Sequence, residues 1–125
     1  MNTTKITDGA LRCFKGSKKR YCHPFFKGYT YTRGVQFLGE NGAHWLVNDI
    51  LAYQQEEPAV QQFSWRDDFQ VWVIEVDEEP SILLNCEDAR GGLIFARTYH
   101  YEDFPLPKLT LYLDDTVLML ASEYP

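Results

Sequence analysis

Apolar residues return at two different spacings along this 125-residue chain. Up to about residue 65 they recur every three or four positions, the period of helices with one buried stripe. Beyond that point they alternate, the period of strands with one buried face.

In the first half, Thr7 or Asp8 can cap a short helix over residues 7–14, with Leu11 and Phe14 inward. Gly16 to Arg20 breaks it. Pro24 biases His23 towards extended backbone, and Tyr29 to Thr32 reads as a short strand or an extended lead-in. Thr32 is placed to cap a helix through Phe37 and Leu38, which Asn41-Gly42 should stop, because both residue types tolerate the left-handed conformation. A longer helix is predicted from about Ala43 to about Gln55. Ala43, Leu46, Val47 and Ile50 make its apolar face, and Trp45, Ala52 and Tyr53 widen it. Pro58 suits the first turn of a last short helix through Phe63.

Strands are predicted over 69–76, 82–87, 93–99, 109–113 and 116–120, with Ile82, Leu84 and Cys86 alternating onto one face. Asp77 to Pro80, Asp88 to Gly92 and Asp114-Asp115 are the turns between them. Phe104-Pro105-Leu106-Pro107 is stiff and extended, and its prolines cannot donate to a central ladder. The expected architecture is one α+β domain over residues 1–125, with N-terminal helices packed on a C-terminal antiparallel β-meander of about four to five strands. The 43–55 helix is the expected cover of the sheet's apolar face. The strands between Leu109 and Leu120 are a candidate edge for pairing with a second copy.

Composition narrows the class. No run approaches the roughly 20 apolar residues of a membrane span, and the first residues lack the apolar core of a signal peptide, so a cytoplasmic setting is expected. Three cysteines, Cys13, Cys22 and Cys86, make a poor disulfide framework, and Cys86 in its apolar run reads as a small core residue. Net charge is −6 but segregated. Residues 1–34 hold eight basic residues against one acidic, and the rest holds four basic against seventeen acidic, for net charges of +7 and −13. Such polarity can attract an anionic partner to one end, or join unlike ends of two copies.

Several segments together carry a family resemblance. They are Leu11-x-x-Phe14-x-Gly16 with Tyr21, Gly34-Val35-x-x-Leu38, and Gly42-Ala43-His44-Trp45-Leu46-x-x-Asp49-Ile50 with Gln54. Phe69-Gln70-Val71-Trp72, Cys86-Glu87-Asp88, Phe104-Pro105-Leu106, Leu109-x-Leu111-Tyr112 and Ser122-Glu123-Tyr124 complete the set. In these the chain resembles a family of small bacterial proteins of unknown function, often linked to mobile elements. The resemblance spans nearly the whole chain and implies no activity and no site residues.

Chemistry-bearing residues do not converge in sequence. Cys13, Cys22, His23, His44 and His100 lack the close ligand pairs that zinc favours, and no metal or cofactor is expected. Acidic pairs such as Glu87-Asp88, Glu102-Asp103 and Asp114-Asp115 read as solvated turns. There is no nucleophile elbow, P-loop or dinucleotide fingerprint. Cys22, beside Lys18, Lys19 and Arg20, is the candidate thiol for a small Cys/His hydrolase or transferase. The segment 15–31 interleaves cations with aromatics. Lys18, Lys19, Arg20, Lys27, Tyr29 and Tyr31 in it are candidates for binding single-stranded nucleic acid, neutralising phosphates and stacking on bases. His44 and Asn48 share a helix face and, with Trp45 and Tyr53, are candidates for a small-ligand site. The leading expectation is a non-catalytic interaction module that binds a cellular protein or small ligand, or a second copy of itself.

Overall fold

The computed structural model describes residues 6–15, 19–77, 81–100 and 103–124. Residues 16–18, 78–80 and 102, where sequence reasoning places part of a break, part of a turn and one acidic neighbour, lie outside the described residues.

The helical half begins with α1 (Asp8–Arg12), capped by the Thr7 hydroxyl, which accepts from Ala10 N at 3.1 Å. The short strands β1 (Tyr21–Cys22) and β2 (Thr30–Tyr31) follow, then α2 (Arg33–Leu38). The expected stop at Asn41-Gly42 is where the helical conformation breaks. Asn41, at φ −113° and ψ 29°, and Gly42, at φ 108° and ψ −3°, both leave the helical conformation, so α2 stops there in a kink. Across the kink over Gly39–Ala43, α2 leads directly into α3 (His44–Glu56), and the two make the central kinked helical element over 33–56. Leu38 before the kink and Ala43 after it are both in the core. Asn41 donates to Phe37 O at 2.8 Å and satisfies a carbonyl that the kink would otherwise orphan. Helix α4 (Pro58–Ser64) follows, with proline in its first turn.

Five strands make the other layer: β3 (Phe69–Val76), β4 (Ile82–Glu87), β5 (Leu93–Tyr99), β6 (Lys108–Asp114) and β7 (Val117–Leu120). The pairings among these five are all antiparallel, as expected of the meander. The complete sheet is larger and mixed. β1 and β2 extend it to seven strands in the order β1-β2-β7-β6-β3-β4-β5, and β2 runs parallel to β7. The chain after β5 returns across the sheet to place β6 on the other side of β3, anchored by buried Phe104 and Leu106. The last hairpin turns through Asp115, at φ 59°, one residue later than the Asp114-Asp115 reading. The expected edge at Leu109–Leu120 is not available. β6 lies between β3 and β7, and β2 occupies the outer side of β7 at Val117–Leu118.

The kinked helix and α4 cover one face of the sheet. Leu46, Ile50, Leu51 and Val60 meet Trp72, Ile74, Leu84, Leu111 and Leu118 there, and all are fully buried. At roughly 1.5–3 kcal/mol per large side chain, this burial outweighs the few tenths that β-branched residues cost a helix. Inside the layer, Gln54 and Gln70 exchange reciprocal amide hydrogen bonds at 2.9 Å. Trp72 Nε1 also donates to Gln70 Oε1. α2 receives its N-terminal acceptor from the far end of the chain. Buried Glu123 accepts from the Thr32 hydroxyl, from Gly34 N at 3.0 Å and from Leu120 N at 2.9 Å. Thr32, the expected cap, instead points its hydroxyl at that carboxylate. Among the described residues, no helix is long and apolar enough to cross a membrane.

Candidate functional site

Helix α3 carries polar groups on two sides, and the four residues singled out on it divide between them. On one side, Asn48 Oδ1 lies 2.7 Å from Nε2 of buried His23. The other ring nitrogen of His23 accepts from Phe25 N and Phe26 N, so the proton sits on Nε2 and Asn48 receives it. His23 is thereby a clamp on the β1–β2 turn, with both nitrogens occupied. Exposed His44 borders a neighbouring cleft of about 140 Å³ with Pro24, Tyr31, Gln36 and Glu40.

On the other side, Tyr99 donates to Asp49 Oδ2 at 2.8 Å and shares a hydrogen bond with the Tyr53 hydroxyl. Trp45 packs edge-on against the Tyr99 ring at 5.0 Å, and Tyr53 stacks on Trp72. Burial, then the bond to Tyr53 and the contact with Asp49, push the Tyr99 hydroxyl far above its usual value. Burial also raises Tyr53, although its bond to Tyr99 and the nearby Arg97 oppose this. Both phenols therefore keep their protons at neutral pH. The Trp45 indole N–H is buried without a partner. Local spacing could not show this relay, because Asp49 and Tyr99 stand fifty positions apart.

In the basic segment, Lys18 lies outside the described residues. Lys19 Nζ sits 5.6 Å from the Tyr21 ring centroid, and Tyr21 stacks on Tyr31 at 5.9 Å across the β1–β2 pair. Tyr29 is half-buried, and burial followed by the charge of Asp115 raises its hydroxyl. Arg20 and Lys27 are exposed. The tip of this hairpin presents Phe25 at 81% exposure. Cys13 and Cys22 are exposed, while burial and the nearby Glu87 push the Cys86 thiol up to about 12. Among the described residues, no three His, Cys, Asp or Glu side chains are grouped to hold a metal ion.

The feature that stands apart is the other face of the sheet. Strand alternation puts Phe69, Val71 and Val73 of β3 on the side away from α3, with Tyr112 and Thr110 of β6 and Glu87 and Asn85 of β4 beside them in register. Val73 and Met119 are buried on this face without joining the main core. Phe69, Tyr112 and Tyr124 pack as an aromatic trio, with ring centroids 5.1–5.3 Å apart. They form one wall of an open groove of about 580 Å³, and Glu87, Asp88, Ala89 and Gly91 form the other. Backbone donors from Gly92 and then Arg90 hold the Asp88 carboxyl below its usual value, so this wall stays anionic. Asp114 pairs with Phe69 at the end of the ladder, on the same face of the sheet. One signal for this groove was present in the sequence. β3 is apolar at Phe69, Val71 and Val73 as well as at Trp72 and Ile74, more than a strand with one buried face requires.

A family of unknown function, DUF6876, matches the chain over residues 5–124. No curated protein and no solved structure matches it.

Proposed function

The chain belongs to this family of unknown function, and we propose from its own geometry that it is a non-catalytic binding module for a basic, extended segment of a partner protein. The observation that carries this is the aromatic–acidic groove on the face of the sheet away from α3. Aromatic faces attract guanidinium and ammonium groups, and Glu87 and Asp88 supply the opposite charge across the groove. One exposed Arg against a ring and a carboxylate contributes about 1–2 kcal/mol. Micromolar binding needs about 8 kcal/mol. The groove therefore suits a segment with several contacts rather than a free cation. The sequence resemblance supports a bacterial, mobile-element origin.

The test is selection of a random peptide display library on the immobilised full-length protein. Enriched peptides should be rich in Arg and Lys, and Tyr124→Ala or Glu87→Gln should weaken the best of them several-fold, while Trp65→Ala leaves binding unchanged. Enrichment of acidic or neutral peptides, or equal binding by all variants, refutes the reading.

A second reading follows from Phe25, which stands exposed at the tip of the basic hairpin next to Lys27. It supports binding of single-stranded nucleic acid, with the ring stacking on a base. Anisotropy with a labelled oligothymidine should then show strong salt dependence, and Phe25→Ala and Lys27→Ala should each weaken binding. No binding at low salt sinks this reading.

A further inference from the structure

We propose that two copies of this chain join antiparallel along the free edge of β5, in a register centred on Ala96, to make one continuous sheet. The two sheet edges differ. β1 offers only Tyr21–Cys22, and Pro24 follows soon after. β5 offers seven residues, Leu93–Tyr99, and β4 is its one strand neighbour among the described residues. Its outer row of backbone N–H and C=O groups is therefore a template for another strand. The usual protections are missing from most of it. There is no Pro, Gly or Lys in Leu-Ile-Phe-Ala-Arg-Thr-Tyr, and the register shift that bends the β4–β5 pair lies at the Leu93 end. Ala96, Arg97 and Thr98 are exposed, as is Leu93 at 63%.

The sequence of the edge selects a second copy and its register. A twofold axis through Ala96, normal to the sheet, keeps both helix layers on the same side and sets the smallest residue of the strand against itself. Arg97 of each copy then stands opposite Phe95 of the other, a cation–aromatic pair formed twice. Arg97 already lies 5.6 Å over the Tyr99 ring, so the guanidinium is on the face where Phe95 is found. Moving the axis to Arg97 would oppose like charges. Helix α4 packs near Leu93 and Ile94, and an antiparallel pair carries the two α4 helices to opposite ends of the joint. The interface is isologous, so it closes at two copies. It also lengthens the face away from α3 without using Tyr124 or Glu87, so it stands or falls apart from the groove reading.

A seven-residue ladder is small beside the ~1,200–2,000 Å² of a standard interface, so the dimer should be concentration-dependent. Sedimentation of the full chain from about 1 µM to about 1 mM should show the mass rise from 14.6 kDa towards twice that. Ala96→Lys, at an exposed position, should weaken association by roughly tenfold or more by opposing two ammonium groups, with an unchanged far-UV circular dichroism spectrum. In a Cys13→Ser, Cys22→Ser background, Ala96→Cys should cross-link to its own copy under mild oxidation. Thr98→Cys should not, because this register holds its two copies about 13 Å apart, beyond the ~7 Å limit for a disulfide. A single-chain mass at every concentration, dimers indifferent to Ala96→Lys, or cross-linking at 98 as fast as at 96 would each overturn the proposal.

Discussion

Replacing Glu123 by Gln should destabilise the protein far more than its place in a short turn after the last strand suggests. The side chain is 4% exposed and accepts three hydrogen bonds, from the Thr32 hydroxyl, Gly34 N and Leu120 N. An amide of the same shape offers one acceptor oxygen and one donor nitrogen. Whichever way it is turned, at least one backbone N–H then faces another donor. The two remaining bonds fall from charge-assisted, about 1.5–3 kcal/mol each, to neutral, about 0.5–1.5. Loss of the negative charge at the start of α2 adds about 0.3–1 kcal/mol. The total is about 3 kcal/mol, a large share of the ~5–15 kcal/mol typical of a domain. For a chain of this size it corresponds to a fall in Tm of roughly 10 °C. Urea and thermal denaturation followed by circular dichroism measure it directly. A double-mutant cycle with Thr32→Val should give a coupling of about 1 kcal/mol, since the two groups share one bond. If Glu123→Gln unfolds within about 0.5 kcal/mol of the parent, the carboxylate is not the cap of α2 and the reasoning fails.

Gly34→Ala should cost about 1–3 kcal/mol in the same assay, because its Cβ would lie 2.5 Å from Leu120 Cδ1 and 2.6 Å from Glu123 Oε1. Gln70→Ala should cost about 2–3 kcal/mol, because it strands the Trp72 indole N–H and the Gln54 amide oxygen inside the core, while the Gln54 amide nitrogen keeps Ile50 O. Unfolding midpoints shared with wild type would refute that. Maleimide labelling of the native protein should stop at Cys13 and Cys22, with Cys86 reacting only on unfolding; native labelling of all three would contradict its burial. The same thiol sets a pH dependence. Unfolded, it ionises near 9, whereas folded it holds its proton to about 12. Its contribution is whole below the unfolded value and is lost as pH rises towards 12, at about 1.4 kcal/mol per unit. The stability of wild type relative to Cys86→Ala should therefore decline above pH 9, and a constant difference would refute the assignment.

The period of the apolar positions determined the longer helices and the five strands between residues 69 and 120 to within a residue or two, but not the two-residue strand β1. Strands 69–76, 82–87 and 93–99 and the helix opening at about Ala43 are all legible in it, because burial on one face is a local property of spacing. Which element meets which is another matter. Nothing near Thr32 announces that Glu123 will cap its helix, nor does anything near Val117 announce a parallel neighbour at Thr30. Asn41-Gly42 correctly signalled the break in the helical conformation, while burial of Leu38 and Ala43 on either side keeps the two helices in one layer across the kink. His44, Trp45, Asn48 and Tyr53 are neighbours on one helix by sequence. The chain returning at His23 and at Tyr99 assigns them to opposite sides of it. The aromatic–acidic groove likewise exists only because register brings Phe69, Tyr112 and Glu87 side by side and the C-terminal turn lays Tyr124 against them. Side-chain period is encoded within a few residues, whereas strand order, capping partners and grooves are set by contacts closed over tens of residues, and only the folded chain makes those.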